Sequence, residues 1–353
     1  MKNLIVATII FVLLACDKNE DQNPPSQNAY FPPTSGSTWE TTTPSQLGWN
    51  TSQIQPLLDF LDQKNSKSFL ILVNGRIVIE SYFNEHTAAT PWYWASAGKT
   101  LTATAVGIAQ QQGLLHLEDP VSTHLGSGWS SLTPQQENQI TIRHLLTMTS
   151  GLDDQSHGEC VLPECLEYSA NAGTPWAYSN VYVLLQKIVA QASGQSWESF
   201  FNTNLKNKIG MSGTWMQMNA LSVYFSTTRS MARFGLLALR QGEWQDQAVV
   251  PQGYMEQATS VSQNLNNAYG YLWWINGQEN YHLPQTQLEF QGSLIPNGPS
   301  DMYMALGKND QKIYVIPSRN MVVIRMGESA EGTNFTLSKF DDVLWQKINA
   351  VIN

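Results

Sequence analysis

The strongest chemical signal in the sequence is a serine and a lysine three residues apart. Ser96 and Lys99 frame the tetrapeptide Ser-Ala-Gly-Lys, and Ser96 is the only serine in the chain followed by lysine at this spacing. Residues three apart on a helix lie on one face, and a hydroxyl at the helix start lies near the positive end of its dipole. A buried lysine has a lowered pKa and can take the proton of the serine. The pair predicts nucleophilic catalysis by Ser96, although one short motif can also arise by chance.

A tyrosine and an asparagine further along the chain could complete such a site. Tyr178 and Asn180 stand directly before a helical pattern. A phenol near a lysine is acidified and can act as a general base. The Asn180 amide could hold Lys99 or a substrate carbonyl. The tripeptide Tyr82-Phe83-Asn84 has the same spacing, but it ends a predicted hairpin and is followed by no helix.

A third candidate element lies near the C-terminus, where Gly307-Lys308-Asn309-Asp310-Gln311 interrupts two apolar runs. An edge strand beside a nucleophile can supply a main-chain N–H to an oxyanion, and Lys308 can supply positive charge. This segment is therefore a candidate for stabilising the transition state.

Apolar periodicity gives the elements that must position these residues. Two β-rich runs around Asn74-Gly75 predict a hairpin, because both turn positions need positive φ. Helical patterns cover 54–61, 97–113, 181–194, 228–240 and 337–348, and further strands are predicted at 303–306, 313–316 and 322–326. We expect an α/β fold of the α+β type, in which an antiparallel sheet built from both chain ends is flanked by helices. A mostly helical second lobe would span roughly 110–290.

The order of the three motifs resembles that of the serine β-lactamase and penicillin-binding-protein superfamily. The match is closest to the class C-like branch, which includes esterases, D-amino-acid peptidases and 6-aminohexanoate-dimer hydrolases. Residues 141–152, 173–180, 226–235 and 269–274 are similar to further family stretches. The resemblance covers nearly all of 47–353.

The resemblance implies a role for each residue. Ser96 would be acylated, and Lys99 and Tyr178 would share the acid and base work. The remaining contributions would be a positioning amide from Asn180, a cation from Lys308, and an oxyanion hole from the main-chain N–H groups of Ser96 and Gln311. One departure is Asp310, which stands where the family usually has glycine. Its side chain must either point away from the site or hinder turnover.

The substrate is left open between a β-lactam, an ester, a D-peptide and a linear amide, all of them small molecules. Trp273 and Trp274 are predicted to contact substrate in an aromatic pocket, with core packing as the alternative. The resemblance implies no cofactor, and the isolated histidines predict no metal site. The leading interpretation is a serine hydrolase; the alternative is a catalytically impaired binding or sensing protein of the same fold.

The first residues read as a targeting segment. Lys2 precedes an apolar run from Leu4 to Ala15, and Leu13-Leu14-Ala15-Cys16 resembles a bacterial lipoprotein box. We expect residues 1–15 to be a signal peptide and Cys16 to be lipidated, which would place an exported, membrane-anchored protein in the periplasm or on the cell surface. An ordinary signal peptide is the alternative. Residues 16–45 are predicted to be a flexible tether, of which Tyr30, Phe31 and Trp39 could already pack on the domain, and 46–353 the hydrolase domain.

The cysteine count and the net charge limit which further classes of protein the chain could belong to. Cys160 and Cys165 could form a disulfide after export or remain free thiols, and we favour the disulfide. The net charge of −9 on 353 residues argues against nucleic-acid binding, because such binding needs a cationic surface. The membrane would be contacted only through the lipid anchor, and the sequence does not predict the oligomeric state.

Overall fold

The computed structural model describes residues 29–332 and 338–353. The helices of this part of the chain are α1 Ile54–Gln63, α2 Lys99–Gln111, α3 Val121–Leu125, α4 Pro134–Glu137, α5 Ile142–Leu146, α6 Tyr182–Ser193, α7 Trp197–Phe201, α8 Thr228–Leu239, α9 Gln252–Ala258 and α10 Lys339–Ile352. The strands are β1 Ser66–Val73, β2 Arg76–Tyr82, β3 Trp92–Tyr93, β4 Thr214–Met218, β5 Leu221–Ser226, β6 Glu243–Trp244, β7 Gln247–Ala248, β8 Trp274–Ile275, β9 Asn280–His282, β10 Glu289–Gln291, β11 Tyr303–Gly307, β12 Gln311–Ile316 and β13 Met321–Gly327.

A six-stranded antiparallel sheet forms the centre of the fold, in the order β2-β1-β13-β12-β11-β8. Strands from both ends of the chain meet where Leu70 pairs with Ile324. The hairpin between β1 and β2 turns at Asn74 and Gly75, whose φ angles are 50° and 80°. The predicted fold class and the predicted hairpin are therefore confirmed.

Helices cover both faces of this sheet. Ile313 lies within contact range of the position that a Cβ on Gly235 of α8 would occupy, whereas the ring of Tyr314 packs edge-on against Trp345 of α10. Successive residues of a strand point to opposite faces. Thus α8 packs on one face of the sheet and α10, with α1 beside it, packs on the other.

Two elements within the range predicted as a helical lobe belong to the central sheet and its covering layer instead. Helices α3 to α7 and α9 lie within 110–290, but so does α8, which packs on β1, β12 and β13. The short strand β8 joins the edge of the sheet at β11. An amphipathic pattern identifies a helix but not the layer in which its apolar face is buried.

The chain from residue 29 to residue 45, predicted as part of a tether, is instead attached to the domain. The main-chain N–H of Tyr30 donates to Asn74 O at 3.0 Å, and the Trp39 indole donates to Gly75 O at 2.7 Å. Arg233 donates to Pro33 O at 2.7 Å. Polar composition predicted a tether here, with its aromatic residues able to pack on the domain; in the structure, aromatic side chains and main-chain hydrogen bonds fix the segment.

The predicted signal peptide and Cys16 lie outside the described residues. In the described ranges, no helix combines the length and the hydropathy that a membrane span requires.

Candidate active site

Ser96 lies in a short 3₁₀ turn, Ala95–Gly98, that leads directly into α2. The turn is anchored by Trp94, which is fully buried. The main-chain N–H of Trp94 donates to Tyr224 O at 2.9 Å, and its indole N–H donates to Ser226 Oγ at 2.8 Å. Ala95 has a φ of 47°, a left-handed conformation that is strained for a residue with a Cβ. The anchored turn thus holds Ala95, directly before Ser96, in a conformation that an unrestrained chain would avoid.

Lys99 is the first residue of α2 and is only 2% exposed. Its Nζ donates to Ser96 Oγ at 3.0 Å and lies 3.5 Å from Asn180 Oδ1. Burial lowers the pKa of Lys99 to about 7, and the charge of Glu159 opposes that shift. A lysine with its pKa lowered into this range can exchange a proton with a neighbouring hydroxyl near neutral pH.

Two aromatic rings complete the surroundings of the lysine. Its Nζ lies 4.9 Å from the centre of the Tyr178 ring and 4.3 Å from that of Tyr182. Ring faces attract a cation, which partly offsets the desolvation of the ammonium. Among the described residues, no carboxylate forms an ion pair with Lys99. The ammonium is stabilised weakly, in keeping with its lowered pKa.

Tyr178 and Asn180 come from the loop that leads into α6. This helix is joined to α2 by a hydrogen bond from Gln186 Nε2 to Thr102 Oγ1 of 3.1 Å. The Tyr178 ring is stacked on Trp274, with centres 5.8 Å apart. Packing between two helices and one indole therefore brings both residues to Lys99, 79 and 81 positions away in the sequence.

The third predicted element forms the turn between β11 and β12, beside the nucleophile turn. A Cβ on Gly307 would lie 2.4 Å from Trp94 O, so glycine is required for this close approach. Asn309 Nδ2 donates to the hydroxyl of Tyr93 at 2.7 Å. Gln311 is the first residue of β12, and its side-chain amide donates to Gly327 O at 2.6 Å. The turn is fixed both to the neighbouring strand and to the wall of the site.

A cavity of about 430 Å³ opens in front of these groups. The structure brings the predicted residues Ser96, Lys99, Asn180 and Lys308 together in its wall. One side of the cavity is apolar and is formed by Met218, Leu221 and Val223. We refer to these three residues, all on or beside the β4–β5 hairpin, as the apolar wall.

A second cavity of about 270 Å³ adjoins the first through Glu159 and Asn180. Tyr178 lines this second cavity, as do Cys160 and Cys165, which are joined in a disulfide. The bridged alternative for the two cysteines is the one present in the structure. The disulfide closes a short loop at the edge of the site.

Asp310 points away from both cavities. Its carboxylate accepts hydrogen bonds from Ala330 N at 2.9 Å and Ser338 Oγ at 3.0 Å, and it lies 3.2 Å from Lys312 Nζ. Ser338 is the N-cap residue of α10, on the far side of the sheet. Of the two orientations considered from the sequence, the structure has the one in which the Asp310 side chain points away from the site.

The two tryptophans predicted to contact substrate belong to the core instead. Trp273 is fully buried and stacks on Phe234, with ring centres 5.8 Å apart. Trp274 is 1% exposed and lies behind Tyr178. Adjacent residues of an extended segment point in opposite directions, and here both directions lead into packed layers.

The alternative Tyr-x-Asn motif lies elsewhere on the sheet. The hydroxyl of Tyr82 donates to Glu80 at 2.6 Å, and Asn84 Nδ2 donates to Asp62 at 3.3 Å. Sequence reasoning missed Tyr182 and Glu159. The helical spacing of Tyr182 from Tyr178 could have identified it, whereas nothing local singles out Glu159. Across the described ranges, no cluster of three histidine, cysteine or acidic residues could hold a metal ion.

Comparison with known proteins agrees with this geometry. The Beta-lactamase family model matches residues 59–337. An uncharacterised protein of Alkalihalophilus pseudofirmus is 27% identical over 322 residues, 78% of this chain and 89% of that protein. A penicillin-binding protein of Bacillus subtilis is 34% identical over 146 residues, which are 36% of this chain and 31% of that protein. The structure of a protein assigned as a 6-aminohexanoate-dimer hydrolase from Bacillus anthracis matches with a TM-score of 0.70 at 19% identity, over 91% of this chain and 89% of that one.

Proposed function

Because the chain belongs to the Beta-lactamase family, we propose that it is a serine hydrolase that cleaves an amide or ester bond through an acyl-enzyme on Ser96. The observation that carries the proposal is the 3.0 Å hydrogen bond between Lys99 Nζ and Ser96 Oγ, made by a buried lysine whose pKa is about 7. A nucleophile within hydrogen-bond reach of a base with a matched pKa is the arrangement that covalent catalysis needs.

The proposed reaction begins when Ser96 Oγ attacks the carbonyl carbon and its proton passes to neutral Lys99. The negative charge on the tetrahedral intermediate would be held by the main-chain N–H groups of Ser96 and Gln311. Tyr178 then delivers its proton to the leaving amine or alcohol and takes up the proton held by Lys99, so that the acyl-enzyme remains with both groups in their starting protonation states. Water repeats the sequence to release the acid and restore Ser96.

The composition of the main cavity favours particular substrates. The apolar wall faces the same space as Lys99 and Asn180. Apolar side chains bind hydrocarbon groups through burial of surface from water. We therefore propose small esters or amides with an apolar acyl or leaving group rather than highly charged peptides.

The alternative of an impaired binding protein loses the observation that motivated it, because Asp310 is directed away from the cavity. A labelling experiment decides between the two. A fluorophosphonate probe should label the wild-type protein, and intact mass should place one adduct on Ser96. Ser96→Ala should abolish the label, whereas the matched variant Ser179→Ala, which removes a neighbouring hydroxyl, should keep it. Labelling undiminished in Ser96→Ala would exclude the proposed nucleophile.

Turnover requires a separate panel on purified protein. A chromogenic cephalosporin, short p-nitrophenyl esters, D-amino-acid amides and linear amide oligomers sample the classes that share this machinery. We expect the highest kcat/KM on an apolar ester. Met218→Ser should lower kcat/KM for a butyl ester more than for an acetyl ester, because Met218 belongs to the apolar wall. An equal effect on both esters would contradict the proposed substrate class.

We also propose that the protein is exported and lipidated on Cys16. The lipoprotein-like residues Leu13 to Cys16 support this, as does the disulfide, which is typical of oxidising compartments. Native protein should partition into the detergent phase in a phase separation, and Cys16→Ala should move it to the aqueous phase. Aqueous partition of the native protein would contradict lipidation.

A further inference from the structure

The side chain that departs from the family pattern belongs to a buried group of charges behind the active-site turn. Lys312 Nζ lies 3.2 Å from Asp310 Oδ1 and 2.8 Å from Asp341 Oδ2. The hydroxyl of Tyr314 donates to Asp341 Oδ1 at 2.6 Å. Asp310, Lys312 and Asp341 are each at most 1% exposed. We call these three residues the buried charge cluster.

The turn in front of this cluster has a backbone that needs support. Asn309 and Asp310 have φ angles of 61° and 60°, and two successive left-handed residues are unfavourable unless the surroundings hold them. Arg325 donates to the carbonyl oxygens of both residues, at 2.9 Å and 3.0 Å. The same turn carries Lys308 on one side and leads into Gln311 on the other. Its conformation therefore decides where Lys308 and Asn309 lie in the wall of the main cavity.

The Asp310 carboxylate connects this turn to two other parts of the chain. One oxygen accepts from the main-chain N–H of Ala330, shortly after β13, and the other from Ser338 at the start of α10. A buried carboxylate with two hydrogen bonds and a cation is a strong fixed contact, because breaking any partner leaves buried charge unsatisfied. Glycine at this position would have none of these contacts.

We propose that Asp310 is a positioning residue. Its carboxylate ties the Lys308–Asp310 turn to the chain after β13 and to α10, and thereby holds Lys308 and Asn309 in the wall of the main cavity. Asp310 acts through these groups and does not touch the substrate. The inference rests on the proposed hydrolase function, because only a reaction gives the position of Lys308 in the cavity wall a consequence.

The test compares Asp310→Gly, Asp310→Asn and the control Asn320→Gly. Asn320 is also left-handed, with a φ of 46°, and occupies the turn between β12 and β13. Glycine suits positive φ better than aspartate does, so relief of backbone strain alone predicts no loss in Asp310→Gly. If the contacts of the Asp310 carboxylate position the turn, their loss in Asp310→Gly should lower kcat about 10- to 100-fold with a smaller change in KM. Small displacements of catalytic groups have effects of this size.

Amide hydrogen exchange of peptides covering 303–316, measured without substrate, gives a readout independent of activity. We expect faster exchange in Asp310→Gly, an intermediate rate and a smaller kcat loss in Asp310→Asn, and wild-type behaviour in Asn320→Gly. Asparagine keeps an acceptor for Ala330 and leaves Lys312 paired with Asp341, so this variant should fold even if the glycine variant does not. Unchanged exchange, or unchanged kcat with faster exchange, would overturn the positioning role. A wild-type protein that takes no label on Ser96 would instead overturn the proposed function, before any variant is compared.

Discussion

Two buried lysines, Lys99 at the start of α2 and Lys312 on β12, show how surroundings decide what a residue can do. Lys312 is fully buried and lies within 3.2 Å of two carboxylates. Lys99 is almost as deeply buried, but its neighbours are a hydroxyl, an amide and two aromatic rings. Two counter-charges offset the desolvation of an ammonium, whereas neutral dipoles and rings offset only part of it. Lys312 is suited to fixing structure, and Lys99 to exchanging a proton.

The same contrast explains why the charge pattern of the site is unusual for a stable core. A protein optimised only for stability would pair Lys99 with a carboxylate or replace it with an apolar residue. Pairing would raise the pKa of the lysine and remove the base from neutral solution. Destabilisation at Lys99 is thus a physical requirement of the proposed chemistry.

The largest expected effect is that of Lys99→Met. Removing a general base should lower kcat/KM by about 10³-fold or more. At the same time the unfolding temperature should rise, because methionine fills similar space without a buried ammonium. Ester hydrolysis and thermal unfolding on the same preparation test both parts. A variant that retains activity would show that Lys99 is not the base, and a lower unfolding temperature would contradict the energetic account.

The matched variant Lys312→Met should behave in the opposite way. It leaves two buried carboxylates without their cation, and breaking such a pair is expected to reduce the free energy of unfolding by about 3–5 kcal/mol. The kcat of the remaining folded protein should fall far less than in Lys99→Met. Denaturant unfolding curves give the first quantity, and active-site titration with the fluorophosphonate gives the folded, reactive fraction. Equal losses of kcat in Lys99→Met and Lys312→Met would contradict the proposed difference between a proton-transferring and a structural lysine.

These contrasts mark how far sequence reasoning reaches. The Ser96–Lys99 pair is local, so helical geometry alone places the two groups together. Tyr178 and Asn180 are distant in sequence; their position before a helical pattern made them candidates, and the resemblance implied their roles. The orientation of Asp310 depends on Ala330 and Ser338, which no local pattern connects to it.

The errors have a similar cause. Trp273 and Trp274 were predicted to line the pocket because aromatic residues suit both cores and binding sites. Only the packing of Phe234 and Tyr178 against them shows which applies. The segment 29–45 was predicted as a tether from its polar composition, whereas the contacts of Tyr30 and Trp39 are long-range.

An intermediate effect is expected for Tyr178→Phe, which keeps the ring beside Lys99 and removes only the hydroxyl. Loss of the proposed acid should lower kcat by about 10²-fold while folding is retained. The ring that faces the lysine and stacks on Trp274 is preserved, so the unfolding temperature should change little. The matched variant Tyr182→Phe also keeps its ring and should cost less activity. An equal loss in both would assign the effect to packing instead of proton transfer.

The smallest predicted effect is the dependence on pH, which should increase both the rate and the free energy of unfolding as the pH rises. Only neutral Lys99 accepts a proton, so with a pKa of about 7 the rate should rise about tenfold from pH 6 to pH 8.

For stability, the folded-state pKa of Lys99 lies below the ordinary value of 10.5, so between these two values the unfolded chain binds more protons than the folded one. The contribution of Lys99 to the free energy of unfolding should therefore rise with pH across this window, by at most about 1.4 kcal/mol per unit. Accordingly, the stability advantage of Lys99→Met over wild type should be largest below pH 7 and should shrink towards pH 10. Unfolding midpoints of the two proteins measured at pH 6, 8 and 9.5 test this, and a difference independent of pH would mean that Lys99 keeps its ordinary pKa in the folded protein.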